Sequence, residues 1–346
     1  MKFGLFGGAR LGPANPLGDS YNYKDFITYV KDAEELGFES IFLVEHHFTG
    51  SGQLSASLNL LSYLAACTTR MRLGTAVVVL PWHNPVLLAE QVATLDVLSG
   101  GRVDLGIGRG YRKVEYESFC IPMEEAQERH NECLQVMLKS WTTPGRFSHH
   151  GKRWHYENIV VEPAPRQQPH PPIWMAGGTP GGIAYIAGSN YNLLLDQLAS
   201  PDEVAERIRI YCDGLAAQDR PRDAARVGVT RGLHIIANEA ERVKALARRR
   251  ETIKNIGDLA RRPGTAGPPS YADSDIAPDD AALIGTPDEI VEKLRHLAAL
   301  GTEYVLLSNA TPTRRALEVF AREIMPHVEN AVAPTARATA TADTRS

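Results

Sequence analysis

The chain has 346 residues, a formal net charge of −4 at neutral pH and 43% hydrophobic residues. That balance predicts no attraction to nucleic acid or to a membrane surface, and no apolar run reaches the roughly 20 residues that span a bilayer. The four cysteines (Cys67, Cys120, Cys133, Cys212) include no Cys-x-x-Cys pair, which predicts reduced, mostly core thiols in a cytoplasmic protein.

In chain order, Lys2–Gly7 reads as a first strand; its apolar part is too short for a signal sequence. A Gly/Pro-rich loop runs to about Tyr21. Phe26, Val30 and Ala33 then recur at helical spacing over Tyr23–Leu36, and Gly37 stops that helix. The second strand, Ser40–Glu45, belongs to the run Ile41-Phe-Leu-Val-Glu-His-His-Phe48, where an apolar segment ends in a charge, two histidines and an aromatic. A loop over Thr49–Gln53 leads to a helix ending at Cys67. Met71–Pro81 is continuously apolar, as in a strand buried on both faces. Pro85 opens a helix that Ser99-Gly100-Gly101 ends. The fourth strand is Arg102–Gly110, and a helix runs from Glu124 to Trp141.

Phe147–Pro172 breaks this rhythm with a Gly151 turn and many prolines, and reads as a hairpin plus an extended connector. Strands follow at Pro172–Ala176, Leu193–Asp196, Val227–Ile236 and Glu303–Ser308. Helices begin after Gly177-Gly178-Thr179-Pro180, at Ser200-Pro-Asp-Glu203 and at Thr286-Pro-Asp-Glu289, the last two as capping signatures. A basic helix, Glu239–Asn255, precedes Gly257–Asp280, which is too long and aperiodic for an ordinary connection and reads as a lid or as disorder. The expected fold is α/β: a (β/α)8 TIM barrel with an inserted hairpin and a lid between strands seven and eight. A doubly wound open sheet competes, but would need a reversal of strand order. Residues 1–328 would form one domain, 257–280 its mobile lid, and 329–346 a disordered tail.

In folds built from βα units, chemistry gathers at the carboxyl ends of the strands, so Glu45, His46 and His47 are the first candidates. Adjacent histidines on a strand point to opposite sides, unlike the His-x-His of a metal site. One imidazole would face the mouth as general acid/base or hydrogen-bond donor; both would also serve as mere polar stoppers. Gly106–Gly110 and Gly177–Gly182 are glycine-rich strand ends that match neither a Walker loop nor the GxGxxG fingerprint. They still admit a ligand close to the backbone, and the helix start after Gly178-Thr179 favours an anion. Arg109 and Arg129 could grip a phosphate, although Arg109 would serve equally well paired to a neighbouring carboxylate.

Taken together, Glu45-His-His-Phe-Thr49, Gly74-Thr-Ala-Val-Val-Val-Leu-Pro81, His83-Asn-Pro85, Ala89-Glu90, Leu95-Asp96, Ser99-Gly-Gly-Arg102 through Gly110-Tyr111, Pro171-Pro-Ile-Trp174, Gly285-Thr-Pro-Asp-Glu289 and Leu300-Gly301 resemble bacterial luciferase and its flavin-dependent monooxygenase relatives. The resemblance implies a TIM barrel holding FMN in its mouth, with His46 as the catalytic histidine. Ala76 and Val77 would contact the flavin ring across a non-prolyl cis peptide. Arg109, Arg129, Gly178, Thr179 and Gly182 would hold the phosphate. It also implies reduced FMN (FMNH2) from a separate NAD(P)H–flavin reductase, O2 as co-substrate, oxygenation of a small organic substrate through a flavin (hydro)peroxide, and a homodimer or a heterodimer with a related subunit. Glu45, His47, Gly7 and Gly8 would line the substrate side. Two positions depart from the family: Gly108 stands where luciferase has a reactive cysteine, and Gly178 where it has an acidic residue. The alternatives are a deazaflavin-dependent oxidoreductase doing hydride transfer, a non-catalytic flavin-binding protein, and a metal-dependent barrel hydrolase that the adjacent histidines disfavour.

Overall fold

A computed structural model describes residues 1–9, 21–48, 54–260, 281–309 and 313–329. Its strands are β1 (Lys2–Gly7), β2 (Ser40–Leu43), β3 (Arg72–Thr75), β4 (Val78–Val79), β5 (Val103–Gly108), β6 (Phe147–His150), β7 (His155–Ile159), β8 (Ile173–Ala176), β9 (Asn192–Leu195), β10 (Val227–Ile235), β11 (Ala282–Gly285) and β12 (Tyr304–Asn309). The helices are α1 (Tyr21–Glu35), α2 (Ser57–Cys67), α3 (Pro85–Leu98), α4 (Lys113–Ser118), α5 (Ala126–Thr142), α6 (Pro180–Gly188), α7 (Pro201–Ala216), α8 (Glu239–Ala260), α9 (Pro287–Ala299), α10 (Arg314–Val319) and α11 (Met325–Glu329).

Parallel pairing runs β12-β1-β2-β3-β5-β8-β9-β10 and returns from β10 to β12, closing a ring of eight. These are the eight strands expected from the apolar runs, and the closed ring settles the barrel against the open sheet. Alternation along each strand sorts its side chains into two layers. Phe42, Trp174, Leu194, Tyr304 and Leu306 pack inside the barrel, with Phe6, Ala76 and Val77 against them. Their neighbours Ile41, Leu43, Leu193, Leu195, Val305 and Leu307 pack outward under the helices. Capping sets the helix starts: Ser200 and Glu203 form a reciprocal capping box at α7, and Thr286 and Glu289 at α9.

Several expectations change. Met71–Pro81 is not one strand: it breaks at a cis Ala76–Val77 bond between β3 and β4, then closes in a 3-10 turn, Leu80–Trp82. β2 stops at Leu43, two residues short of Glu45. Between strands seven and eight there is an added strand, β11. It shares an edge of β10 with β9: Gly228 faces Leu194, and Gly232 further on faces Ala282. Residues 257–260 belong to the backbone of α8 rather than to a lid, while the rest of the expected lid, 261–280, lies outside the described residues. So do most of the loop after β1, the loop 49–53, and the tail beyond Glu329, which itself closes α11. The hairpin of β6 and β7 turns near Gly151 as expected. Cys133 and Cys212 are buried, but Cys67 is only partly so and Cys120 is exposed. Among the described residues no helix is long and apolar enough to cross a membrane.

Candidate active site

Past the end of β2 the backbone stays tied to the barrel: the Val44 N–H donates to the Gly7 carbonyl at 3.0 Å, and the His46 N–H to the Leu54 carbonyl at 2.9 Å. Between them Glu45 turns inward and is 3% exposed. Its Oε1 accepts the Trp82 indole N–H at 2.8 Å and lies 3.2 Å from His47 Nε2 and 3.1 Å from His83 Nε2. Burial pushes this carboxyl up, but the hydrogen bonds from His47, His83 and Trp82 and the charge of His83 win, holding it at about 2. Glu45 is therefore a fixed anion that ties three side chains of the wall together.

His46 is held by a second carboxylate. Its Nδ1 lies 3.1 Å from Glu115 Oε1, and the same oxygen accepts the His47 backbone N–H at 2.9 Å. Arg112 Nη1 stands 3.8 Å from that oxygen. Burial, aided by the Arg112 charge, lowers the His46 pKa against the opposing pull of Glu115, so the imidazole is neutral at neutral pH. A carboxylate only accepts, so Nδ1 carries the proton and Nε2 keeps its lone pair. The ring behind is aromatic: Trp82 stacks on Phe119 with centroids 5.1 Å apart, Tyr116 meets Trp82 at 5.3 Å, and His47 meets Phe119 at 4.9 Å.

The glycine-rich ends lie round the same mouth. Ile107 pairs with Met175, and continuing that register sets Arg109 beside Gly177. The Tyr116 hydroxyl donates to the Arg109 carbonyl, pinning α4 to the end of β5. Arg109 Nη1 is 3.5 Å from Gln127 Oε1, and no carboxylate pairs with it among the described residues. Arg129, on α5, is tied to Glu125 at 2.9 Å. Thr179 caps α6, its Oγ1 accepting the Gly182 N–H at 3.3 Å. A Cβ on Gly178 would lie 3.8 Å from the Arg207 guanidinium, so the missing acidic side chain leaves this turn to backbone groups and a cation. The cis Ala76–Val77 segment packs against the barrel-lining cluster. Gly108 makes room for it, because a Cβ there would sit 2.5 Å from Val77 Cγ2. Trp174, 5% exposed, has a buried indole N–H with no partner among the described residues. Gly7, at φ 140°, and Gly8 pass beneath the same rim, a Gly8 Cβ falling 3.2 Å from Leu54. The apolar Ala76, Val77 and Trp174, an unused donor, glycine-rich strand ends and a helix N-terminus beside Arg109 fit a planar ring system with an anionic tail.

Glu45, His46, His47, Ala76 and Val77 were singled out from the residues or the resemblance, but Trp82, Arg112, Glu115, Tyr116 and Phe119 were not. Most of these sit on or beside α4, whose six residues are too few for periodicity to register. The available signal was the Arg112/Glu115 pair spaced by three among Tyr111, Tyr116 and Phe119.

The family profile described as luciferase-like monooxygenase matches residues 1–304. The flavin-dependent trigonelline monooxygenase oxygenase component of Acinetobacter baylyi is 31% identical over 188 residues, 54% of this chain and only 52% of that protein. The FMNH2-dependent dimethylsulfone monooxygenase of Pseudomonas putida is 27% identical over 86% of this chain and 85% of that one. In fold, the chain is similar to monooxygenase RslO1 from Streptomyces bottropensis, with TM-score 0.82, 24% identity and coverage of 94% and 99%. It is also similar to an F420-dependent secondary alcohol dehydrogenase, with TM-score 0.74, 16% identity and coverage of 94% and 98%. With the profile running from the first residue through the barrel, the chain belongs to the luciferase-like monooxygenase family, whose named relatives here are flavin-dependent oxidoreductases.

Proposed function

We propose that this chain is the oxygenase of a two-component, cytoplasmic flavin monooxygenase. It takes reduced FMN made by a separate NAD(P)H–flavin reductase, and O2, and oxygenates a small organic substrate. The observation that carries this reading is the neutral His46 held by Glu115 at the mouth, at the same barrel end as the cis Ala76–Val77 segment and the α6 N-terminus. When bound, reduced FMN supplies the two electrons that activate O2, one oxygen atom going to the substrate and the other to water. Ala76, Val77 and Trp174 would flank the flavin ring, while Arg109, Thr179, Gly178 and Gly182 would hold the phosphate, with Arg129 further back on α5. The Nε2 lone pair of His46 accepts a proton, which Nδ1–H···Glu115 stabilises through its charge. The aromatic wall of Trp82, Tyr116 and Phe119 keeps water from the reacting atoms. Glu45, His47, Gly7 and Gly8 shape the substrate side of the rim.

The fold similarity to an F420-dependent dehydrogenase supports a second reading, hydride transfer from a reduced deazaflavin. One experiment separates the two. Photoreduced FMN with and without the protein is mixed with oxygenated buffer, and the return of oxidised-flavin absorbance is followed. Reoxidation slower than that of free reduced FMN is expected. Reoxidation at the free rate, together with oxidation of reduced deazaflavin by an added carbonyl compound, would establish the second reading; the free rate with tight retention of oxidised FMN would mark a storage protein.

A further inference from the structure

Four strands round the ring from β2 in either direction stands β9, so the ends of β9 and β10 lie across the mouth from His46. Three arginines gather there. Arg207 Nη1, on α7, is 3.2 Å from Asp196 Oδ2. Arg249, on α8 and 2% exposed, donates from Nη1 to Gln197 Oε1 at 2.7 Å and from Nη2 to the Gln197 carbonyl. Arg231, on β10 and 1% exposed, donates from Nη1 to the Thr230 carbonyl at 3.0 Å. Among the described residues, Arg231 Nη2 and Arg249 Nε have no partner, and neither guanidinium has a carboxylate in ion-pair reach. The nearby acids are already committed. Asp196 Oδ1 accepts the N–H of Leu198 at 2.7 Å, and Glu203 accepts the N–H of Ser200 at 2.7 Å.

Buried charges are ordinarily paired, because a cation stripped of water needs an anion or a full set of acceptors. Here two fully buried guanidinium groups share neutral acceptors only. Gly232 lies in front of Arg249: a Cβ there would be 3.3 Å from Nη1. By the alternation of β10, Gly232 is on the barrel-facing side, as is Gly228, whose Cβ would meet Leu194, Leu306 and Trp174. We propose that Arg249, backed by Arg231 and Arg207, forms a subsite for an anionic group of the substrate, a carboxylate, sulfonate or phosphate. Gln197 Oε1 now serves as the neutral acceptor where an anionic oxygen would bind, and the bare α-carbon of Gly232 lets the Arg249 guanidinium pack against the barrel-facing side of β10. The substrate would then lie across the mouth, its anionic end on Arg249 and its reacting end toward His46. Only the identification of the anion as substrate rests on the proposed function; the subsite itself does not.

The test is calorimetric titration of the FMN-loaded protein with sulfate at constant ionic strength. One saturable site is expected. Arg249→Met should weaken it by about tenfold or more, as for loss of a charge-assisted hydrogen bond; Arg231, on the outer side of β10 beside Val229 and Leu233, acts only through its charge, and Arg231→Met should weaken it less. Gly232→Val removes no charge and fills the space before Arg249, so it should weaken sulfate similarly, and it keeps the test valid if Arg231→Met does not fold. Arg109→Ala, on the cofactor side, separates this site from the cofactor's own anion pocket. Absence of a saturable site, or a site that survives Arg249→Met and Gly232→Val, overturns the proposal; a site lost only in Arg109→Ala is the cofactor's own anion pocket and overturns it too. Should the protein hold no FMN, the cofactor reading fails by itself, and the same variants in the flavin-free chain still decide the subsite.

Discussion

At the scale of single residues, the site works by dividing labour between two buried carboxylates. Glu45, held at about 2, stays ionised through any physiological pH and serves as an anchor for Trp82, His47 and His83. Glu115 acts on His46 instead, raising a pKa that burial and Arg112 pull down. Glu115→Gln removes both of its raising contributions, the charge-assisted hydrogen bond and the Coulomb attraction, and leaves only the weaker pull of the Glu45 charge against burial and Arg112. The His46 pKa should therefore fall further. If neutral His46 is the working form, activity is lost as pH drops through that pKa, so the acid limb of the kcat/KM profile should move to lower pH in Glu115→Gln. An acid limb that stays in place while FMN still binds would assign the limb to another group. His46 was legible in the sequence because it follows an apolar run that ends abruptly. Glu115 was not, because its partner lies 69 residues away and its own helix is a single short turn and a half.

At the scale of elements, the barrel is drawn tight where β3, β4 and β5 meet. The β3 run breaks after Thr75, whose hydroxyl donates to the Gly106 carbonyl at 2.7 Å. A side chain at Gly106 would drive straight into the Thr75 backbone carbonyl, and backbone cannot swing aside as a side chain does. Gly106→Ala should thus cost about 3 kcal/mol or more, at or above the upper end for overpacking. Gly181→Ala, in α6 with nothing within 4 Å of the new methyl, should be neutral or stabilise by up to about 1 kcal/mol. Urea melts of the two variants check the contrast; equal losses would mean that the close approach at Gly106 relaxes freely. The apolar runs disclosed all eight barrel strands because each is buried on both faces. They concealed the break in the third, since Ala76 and Val77 are as apolar as their neighbours. They also concealed β11, whose four residues sit between a stretch rich in Asp and Pro and the capping box of α9. Periodicity reports burial, and these two features are matters of backbone path.

At the scale of the whole molecule, one face of the helical layer exposes several large apolar side chains among the described residues. Tyr63 on α2 is 58% exposed, and Leu87 and Leu98 on α3 are 53% and 65% exposed. Leu87, Gln91, Thr94 and Leu98 are all exposed at spacings of four, three and four, and so form one stripe along α3. Burying a leucine side chain is worth about 1.5–3 kcal/mol, so covering Leu87 and Leu98 with another protein surface would be favourable. The dimer expected from the family resemblance would place a second copy there, since α2 and α3 follow the second and third barrel strands. Its consequence reaches the site, because α3 starts directly after Trp82, His83 and Asn84, whose side chains brace Glu45 and cap the helix. Light scattering during gel filtration should give twice the mass of one chain for the wild type. Leu87→Glu with Leu98→Glu should give a single chain, since two carboxylates would be desolvated at the contact. In that monomer the free start of α3 should loosen the Trp82 wall, seen as a red-shifted tryptophan emission. A wild type that runs as a single chain at micromolar concentration would leave the stripe as ordinary surface and would uncouple assembly from the mouth of the barrel.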